Sequence, residues 1–216
     1  MKIFFSSILI VMTVVLVAND SLAQSDISID ADFPGGNIIV DRIMGNNIYL
    51  HQDPRDTEGF WFYWYFRVQN AAGKELTFHF TDGNVIGVRG PAVSLNGGKN
   101  WNWLGKEAVE NTSFQYTFPD DINEVRFCMA IPYQESELNQ FLEKHQDNPH
   151  LKKQILCETQ KGRPVEQLFL GCIDGSCKYR VLITCRHHSC EMVASYSLEG
   201  LMEAVLTNHE FGPWLR

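Results

Sequence analysis

Phe60-Trp61-Phe62-Tyr63-Trp64-Tyr65-Phe66-Arg67-Val68 and, after Ala71-Ala72-Gly73-Lys74, Glu75-Leu76-Thr77-Phe78-His79-Phe80 decide the fold of the first half of the chain. Successive side chains of a strand point to opposite faces. In the first run, Phe60, Phe62, Trp64 and Phe66 therefore share one face, and Trp61, Tyr63 and Tyr65 the other. In the second run Leu76, Phe78 and Phe80 oppose Glu75, Thr77 and His79. The intervening residues read as a turn, so the two runs are expected to form a hairpin. Aromatics on both faces of the first run imply that one face fills a core and the other meets a second body. The rest of the chain is the expected partner, and a sugar-stacking platform is the alternative.

Short strand signals continue on either side. Asn37-Ile38-Ile39-Val40 and Asn47-Ile48-Tyr49-Leu50 are apolar runs punctuated by Gly35-Gly36 and Gly45-Asn46-Asn47. Val93-Ser94, Trp101 to Trp103 and residues 113–118 and 124–129 complete the set. The spacing predicts an antiparallel β-sandwich over residues 24–129.

The pattern changes after Pro132. Residues 135–145 carry Leu138, Phe141 and Leu142 at helical spacing, with Ser136 as the N-cap candidate. Residues 154–159 and 165–172 read as strands around the turn Lys161-Gly162-Arg163-Pro164, and residues 179–184 as a further strand. A helix over residues 192–206 would bury Met192, Tyr196, Leu201, Met202, Val205 and Leu206, with Gly200 weakening it. Strands followed by long helices indicate an α/β layer, so the fold class is α+β. His145 and His150 flank a loop-like segment and are expected in solvent.

The 216 residues are 44% hydrophobic and 20% charged, enough for one or two cored domains. The net charge is −8, with a pI near 5.3, and no basic patch is present, which argues against a nucleic-acid partner. Lys2, the apolar residues 3–18 and Ser21-Leu22-Ala23 read as a signal peptide over 1–23, cleaved before Gln24. A membrane-anchored N-terminus is the competing reading. No later segment is long and apolar enough to span a bilayer, and the expected location is secreted or periplasmic. Asn111-Thr112-Ser113 is a glycosylation sequon, meaningful in a eukaryotic secretory route.

Export permits disulfides. All the cysteines (128, 157, 172, 177, 185 and 190) lie in the second half. Cys172 and Cys177 flank a turn and are the best-placed pair; otherwise these are free thiols in cores.

The chemistry concentrates at His188-Ser189-Cys190-Glu191, between a predicted strand and a predicted helix. An imidazole and a carboxylate three residues apart at such a junction can converge on one point, as zinc ligands do. A His-x-x-Glu match alone also fits a surface or helix-capping role. Cys185, His188 and Cys190 are a soft-ligand alternative for a structural zinc.

Several segments, in order, resemble the M14 zinc metallocarboxypeptidases, in particular the cytosolic-carboxypeptidase-like branch and its bacterial relatives. The aromatic runs at 60–80 are similar to that branch's N-terminal β-sandwich. Ile131-Pro132-Tyr133 with Leu138 and Phe141-Leu142 resembles the start of its peptidase domain. Leu156-Cys157-Glu158-Thr159 and Gly162-Arg163-Pro164-Val165-Glu166 resemble a stretch before its active site. Arg186-His187-His188-Ser189-Cys190-Glu191 with Ala194-Ser195 resembles its zinc motif, with Ser189-Cys190 where the branch commonly has Pro-Gly.

The resemblance implies a β-sandwich followed by a truncated α/β zinc-carboxypeptidase domain over residues 130–216. It implies His188 and Glu191 as ligands of one zinc ion, and a peptide or protein C-terminus as substrate. His187 is not carried over. The family's third ligand, carboxylate-clamping Arg and general-base Glu lie well after this motif, and His209 and Glu210 match none of them. The expectation is therefore the front part of a longer protein or a truncated product, binding zinc weakly, with little or no peptidase activity. The alternatives are a non-catalytic β-sandwich module that binds a peptide or glycan, or a related zinc deacylase or amidase.

Overall fold

The computed structural model describes residues 27–55, 57–208, 210 and 212–216, so the signal-peptide reading at 1–23 lies outside the described residues. Among them, two five-stranded sheets enclose one core. The first contains, in spatial order, β1 (Ser28–Asp30), β4 (Tyr65–Gln69), β10 (Glu124–Cys128), β6 (Ala92–Ser94) and β7 (Asn102–Trp103). The second contains β2 (Ile39–Met44), β3 (Asn47–His51), β5 (Glu75–Phe80), β9 (Ser113–Thr117) and β8 (Val109–Glu110). Phe66, Val68, Val125 and Phe127 from the first meet Ile48, Leu50, Leu76, Phe78 and Phe114 from the second, all buried. The rings of Phe66 and Phe78 approach to 5.5 Å across this core.

The expected hairpin does not form. β4 pairs with β1 and β10. β5 pairs with β9 and, in parallel, with β3, so the sandwich is not wholly antiparallel. Residues 71–74 carry the chain from one sheet to the other. Asn70 (φ +61°) and Gly73 (φ +69°) turn it in the left-handed region, where a Cβ on Gly73 would stand 2.7 Å from an Asp120 carboxylate oxygen. Alternation specifies a buried face, but not which strand supplies the ladder.

The aromatic run also becomes strand only at Tyr65. Before it, the Trp61 carbonyl accepts from the buried Gln52 side chain at 2.5 Å in place of a ladder bond. Phe60 and Phe62 are 58% and 40% exposed, against the expected shared face with Trp64 and Phe66. Trp64 is fully buried and donates from Nε1 to Val85 O at 3.0 Å. The other face follows the alternation. Tyr63 and Tyr65, with Trp61 partly buried, form a second cluster with Cys128, Ala130, Tyr133, Cys190 and Met192. The partner of that face is thus the second half of the chain.

That half contains α1 (Glu135–Lys144), the antiparallel pair β11 (Leu151–Glu158) and β12 (Pro164–Leu170), α2 (Met192–Thr207) and the short α3 (Gly212–Leu215). The cap of α1 is Gln134, not Ser136, because Ser136 already lies in the first turn. Gln134 N donates to Glu137 Oε2 at 2.6 Å in a reciprocal capping box. Phe141, Met202 and Leu206 form the core between α1 and α2, with Leu168 and Leu170 of β12 against it. Tyr196 and Leu201, expected inside, are 39% and 41% exposed. Tyr196 nevertheless donates to Pro132 O at 2.7 Å.

Two further expectations fail. Residues 179–184 form no strand, and Val181 and Leu182 are each 82% exposed. Their apolar run marks a demand for burial, but among the described residues no strand pairs with it. His145 is buried, not solvated. It ends α1, and its Nε2 stands 2.7 Å from Glu203 Oε2 of α2. His150 is half-buried with Nδ1 3.1 Å from Gly171 O. Among the described residues no helix is long and apolar enough to cross a membrane.

Candidate metal centre

The turn at 188–191 leaves His188, Ser189 and Glu191 exposed and points Cys190 inward. Glu191 N donates to His188 O at 3.1 Å, and Ala194 N to Glu191 O at 3.1 Å, so the turn runs directly into α2. Cys190 and Met192 are buried in the cluster that contains Tyr63 and Tyr65. With those two anchored, His188 and Glu191 face solvent. His188 Nδ1 stands 3.0 Å from Glu191 Oε1, and His188 N donates to Glu191 Oε2 at 3.3 Å. The sequence offers Cys190 as a soft-ligand alternative; its burial instead fixes the turn.

Arg186 is a second residue whose part was not legible. Its φ of +56° lies where non-glycine residues rarely sit. The guanidinium holds it there: Nε and Nη2 donate to Ser189 O at 3.3 and 3.2 Å, and Nη1 donates to Tyr133 O. The fork thus ties the start of the motif to its own turn and to Tyr133, just ahead of the α1 cap. From the sandwich, the Trp61 ring meets the His188 ring at a centroid distance of 6.1 Å and 63° between planes.

His187 faces elsewhere, with Nε2 3.3 Å from Thr184 Oγ1. Glu210 is exposed, its N–H donating to Asn208 Oδ1 at 2.7 Å, and His209 lies outside the described residues. The structure does not gather Cys185, His188 and Cys190, since Cys190 points into the core. Among the described residues no three His, Cys, Asp or Glu side chains converge as a metal-holding group.

The hydrogen bond from His188 holds the Glu191 carboxyl below its ordinary range, helped by the His188 backbone N–H. Its position at the start of α2 also favours the anion through the helix dipole. An imidazole nitrogen and a carboxylate oxygen sharing a proton can exchange that proton for a divalent cation. Zinc bonds of about 2.0–2.2 Å to N and O in tetrahedral geometry put two ligand atoms roughly 3.4 Å apart. The observed spacing needs only a slight opening. The donor types therefore fit zinc, while a catalytic zinc usually has three protein ligands.

No family model matches the sequence, and no curated protein matches it either. Solved structures do. The metallo-carboxypeptidase from Burkholderia cenocepacia superposes with a TM-score of 0.74 at 22% identity, over 87% of this chain and 52% of that one. The metallo-carboxypeptidase from Pseudomonas aeruginosa, solved in complex with (2-guanidinoethylmercapto)succinic acid, gives 0.70 at 22% identity, over 85% and 50%. The fold is shared with metallocarboxypeptidases. The chain spans about half the length of these structures, and its α+β architecture corresponds to that portion of them.

Proposed function

We propose that His188 and Glu191 are two ligands of a zinc ion in a hydrolase of the M14 metallocarboxypeptidase type, of the cytosolic-carboxypeptidase-like branch, which removes C-terminal amino acids from peptides. The observation that carries this reading is the convergence of His188 Nδ1 and Glu191 Oε1 at 3.0 Å at the head of α2. It supports the reading because this pair stands on a fold shared with metallo-carboxypeptidases. The succinic acid derivative bound by the Pseudomonas aeruginosa protein agrees with a substrate that presents a free carboxylate.

Zinc in such a centre lowers the pKa of a bound water and polarises the scissile carbonyl. The residues of this chain supply its seat. His188 offers Nδ1, and Glu191 offers a carboxylate whose ionised form the His188 hydrogen bond favours. Cys190 and Arg186 hold the turn, and Trp61 covers one side of the imidazole.

Two donors chelate far less well than three. The 216 residues by themselves are therefore expected to bind zinc weakly and to show little or no peptidase activity. The signal-peptide reading at 1–23 places the protein outside the cytoplasm. Elemental analysis of purified, dialysed protein, paired with an assay for release of C-terminal residues from peptides, tests the proposal. Substoichiometric zinc without release is the expected result. Stoichiometric zinc with release would show a complete centre within this chain.

A further inference from the structure

The connection from β12 to the metal pair begins with Cys172-Ile173-Asp174-Gly175-Ser176-Cys177. An Asx turn curls it. Asp174 Oδ1 accepts from Ser176 N at 2.9 Å and from Ser176 Oγ at 2.7 Å. Gly175 takes φ +92°, in the region that favours glycine. The Cys172 thiol reaches Asp174 Oδ1 and Ser176 Oγ, each at 3.4 Å. Cys177 Sγ lies 2.7 Å from Cys172 O, so the turn folds the second cysteine back onto the first. Both are free and half-buried here. The turn therefore brings the two cysteines together without a covalent bond.

We propose that Cys172 and Cys177 form a redox pair that closes to a disulfide by exchange with a small-molecule disulfide of the glutathione class. The first step is attack of the Cys177 thiolate on one glutathione sulfur. That bond breaks, one glutathione leaves as its thiolate and takes a proton, and Cys177 carries a mixed disulfide. The Cys172 thiol then gives its proton to solvent and attacks Cys177 Sγ, expelling the second glutathione. Two cysteine sulfurs are oxidised, and one glutathione disulfide is reduced to two thiols.

The order follows from the surroundings. Arg180 lies near Cys177, a cation that favours the attacking thiolate. The Cys172 thiol instead donates to the Asp174 carboxylate, an anion that disfavours a second negative charge beside it. The Cys172 carbonyl favours the protonated form of Cys177, but it is a neutral acceptor, whereas Cys172 faces an anion. Closure would pin the chain where it leaves β12, ahead of the exposed residues 178–184 that lead to Arg186 and His188.

The test incubates the full chain with oxidised glutathione, blocks remaining thiols with an alkylating reagent and digests with trypsin. Cys172 and Cys177 lie on one tryptic peptide ending at Lys178, and Cys185 lies on another. The proposal expects the first peptide to lose two hydrogens and escape alkylation. It also expects Asp174→Ala to slow closure several-fold. In Cys172→Ser, Cys177 should stop as the glutathione adduct, faster than Cys172 does in Cys177→Ser. Both sulfurs remaining alkylatable, or Cys177 joined to Cys185, would overturn the pairing. Faster capture by Cys172 would overturn the order of attack.

Discussion

Trp61 of the sandwich meets the His188 ring edge-on, 6.1 Å between centroids. The two residues lie far apart in sequence, and their contact makes the sandwich one wall of the candidate metal centre. Trp61→Leu is expected to shift the His188 ring resonances in an NMR spectrum and to cost about 0.5–1.5 kcal/mol, the usual range for an aromatic pair. Trp214→Leu is the control. Trp214 is 91% exposed, and its substitution should leave those resonances in place.

The aromatic run itself divides by burial. Trp64→Ala removes a fully buried indole and leaves the Val85 carbonyl without its donor, so a loss of about 3–5 kcal/mol is expected. Phe60→Ala, only four positions earlier but 58% exposed, should change stability by no more than about 0.5 kcal/mol. Urea unfolding of the two proteins checks the contrast. Similar midpoints would contradict the division.

Arg186 carries an expectation about the motif's own order. Arg186→Met deletes the donors to Ser189 O and Tyr133 O that hold the positive φ. A loss of about 1.5–3 kcal/mol is expected for such charged hydrogen bonds. Hydrogen exchange should show lower protection at Glu191 and Ala194, whose N–H groups close the turn into α2. Unchanged protection at both amides would remove Arg186 from this role.

Acid should loosen the contact between α1 and α2. The hydrogen bond from Lys144 holds the Glu203 carboxyl below its ordinary range, with His145 adding to it. A depressed carboxyl stabilises the fold above its unfolded value, near 4.5, and loses that contribution as pH falls through the lower folded value. Glu203 is partly exposed, so screening limits the pair to about 1 kcal/mol or less. Plots of urea midpoint against pH should therefore fall less steeply on the acid side for Glu203→Gln than for the unsubstituted protein. Parallel acid limbs would contradict the assignment.

Faces were more legible in the sequence than partners. Alternation at Tyr63, Tyr65 and Phe66 placed aromatic side chains on two faces, and they occupy two different clusters. It could not show that β4 and β5 lie in separate sheets, because a hairpin turn and a crossing between sheets share the same local residues. The run at 179–184 had strand composition, yet a strand exists only through its ladder, and composition does not supply a neighbour. His145 looked solvated because its flanking residues are polar; its partner Glu203 is 58 positions away. At the candidate centre, His188 and Glu191 were found from spacing and residue type. The roles of Arg186 and Cys190 depend on a backbone angle and a burial direction that one-dimensional pattern does not encode.

Zinc titration of the chain against a chromophoric competitor, with His188→Ala and Glu191→Ala beside it, tests the central claim most directly. The account predicts one weak site whose affinity falls by about tenfold or more in each substituted protein, a loss of roughly 1.4 kcal/mol or greater. Thr184→Ala, which removes the hydroxyl beside His187, should leave it unchanged. Equal zinc affinity in the unsubstituted, His188→Ala and Glu191→Ala proteins would contradict the assignment of this pair as metal ligands.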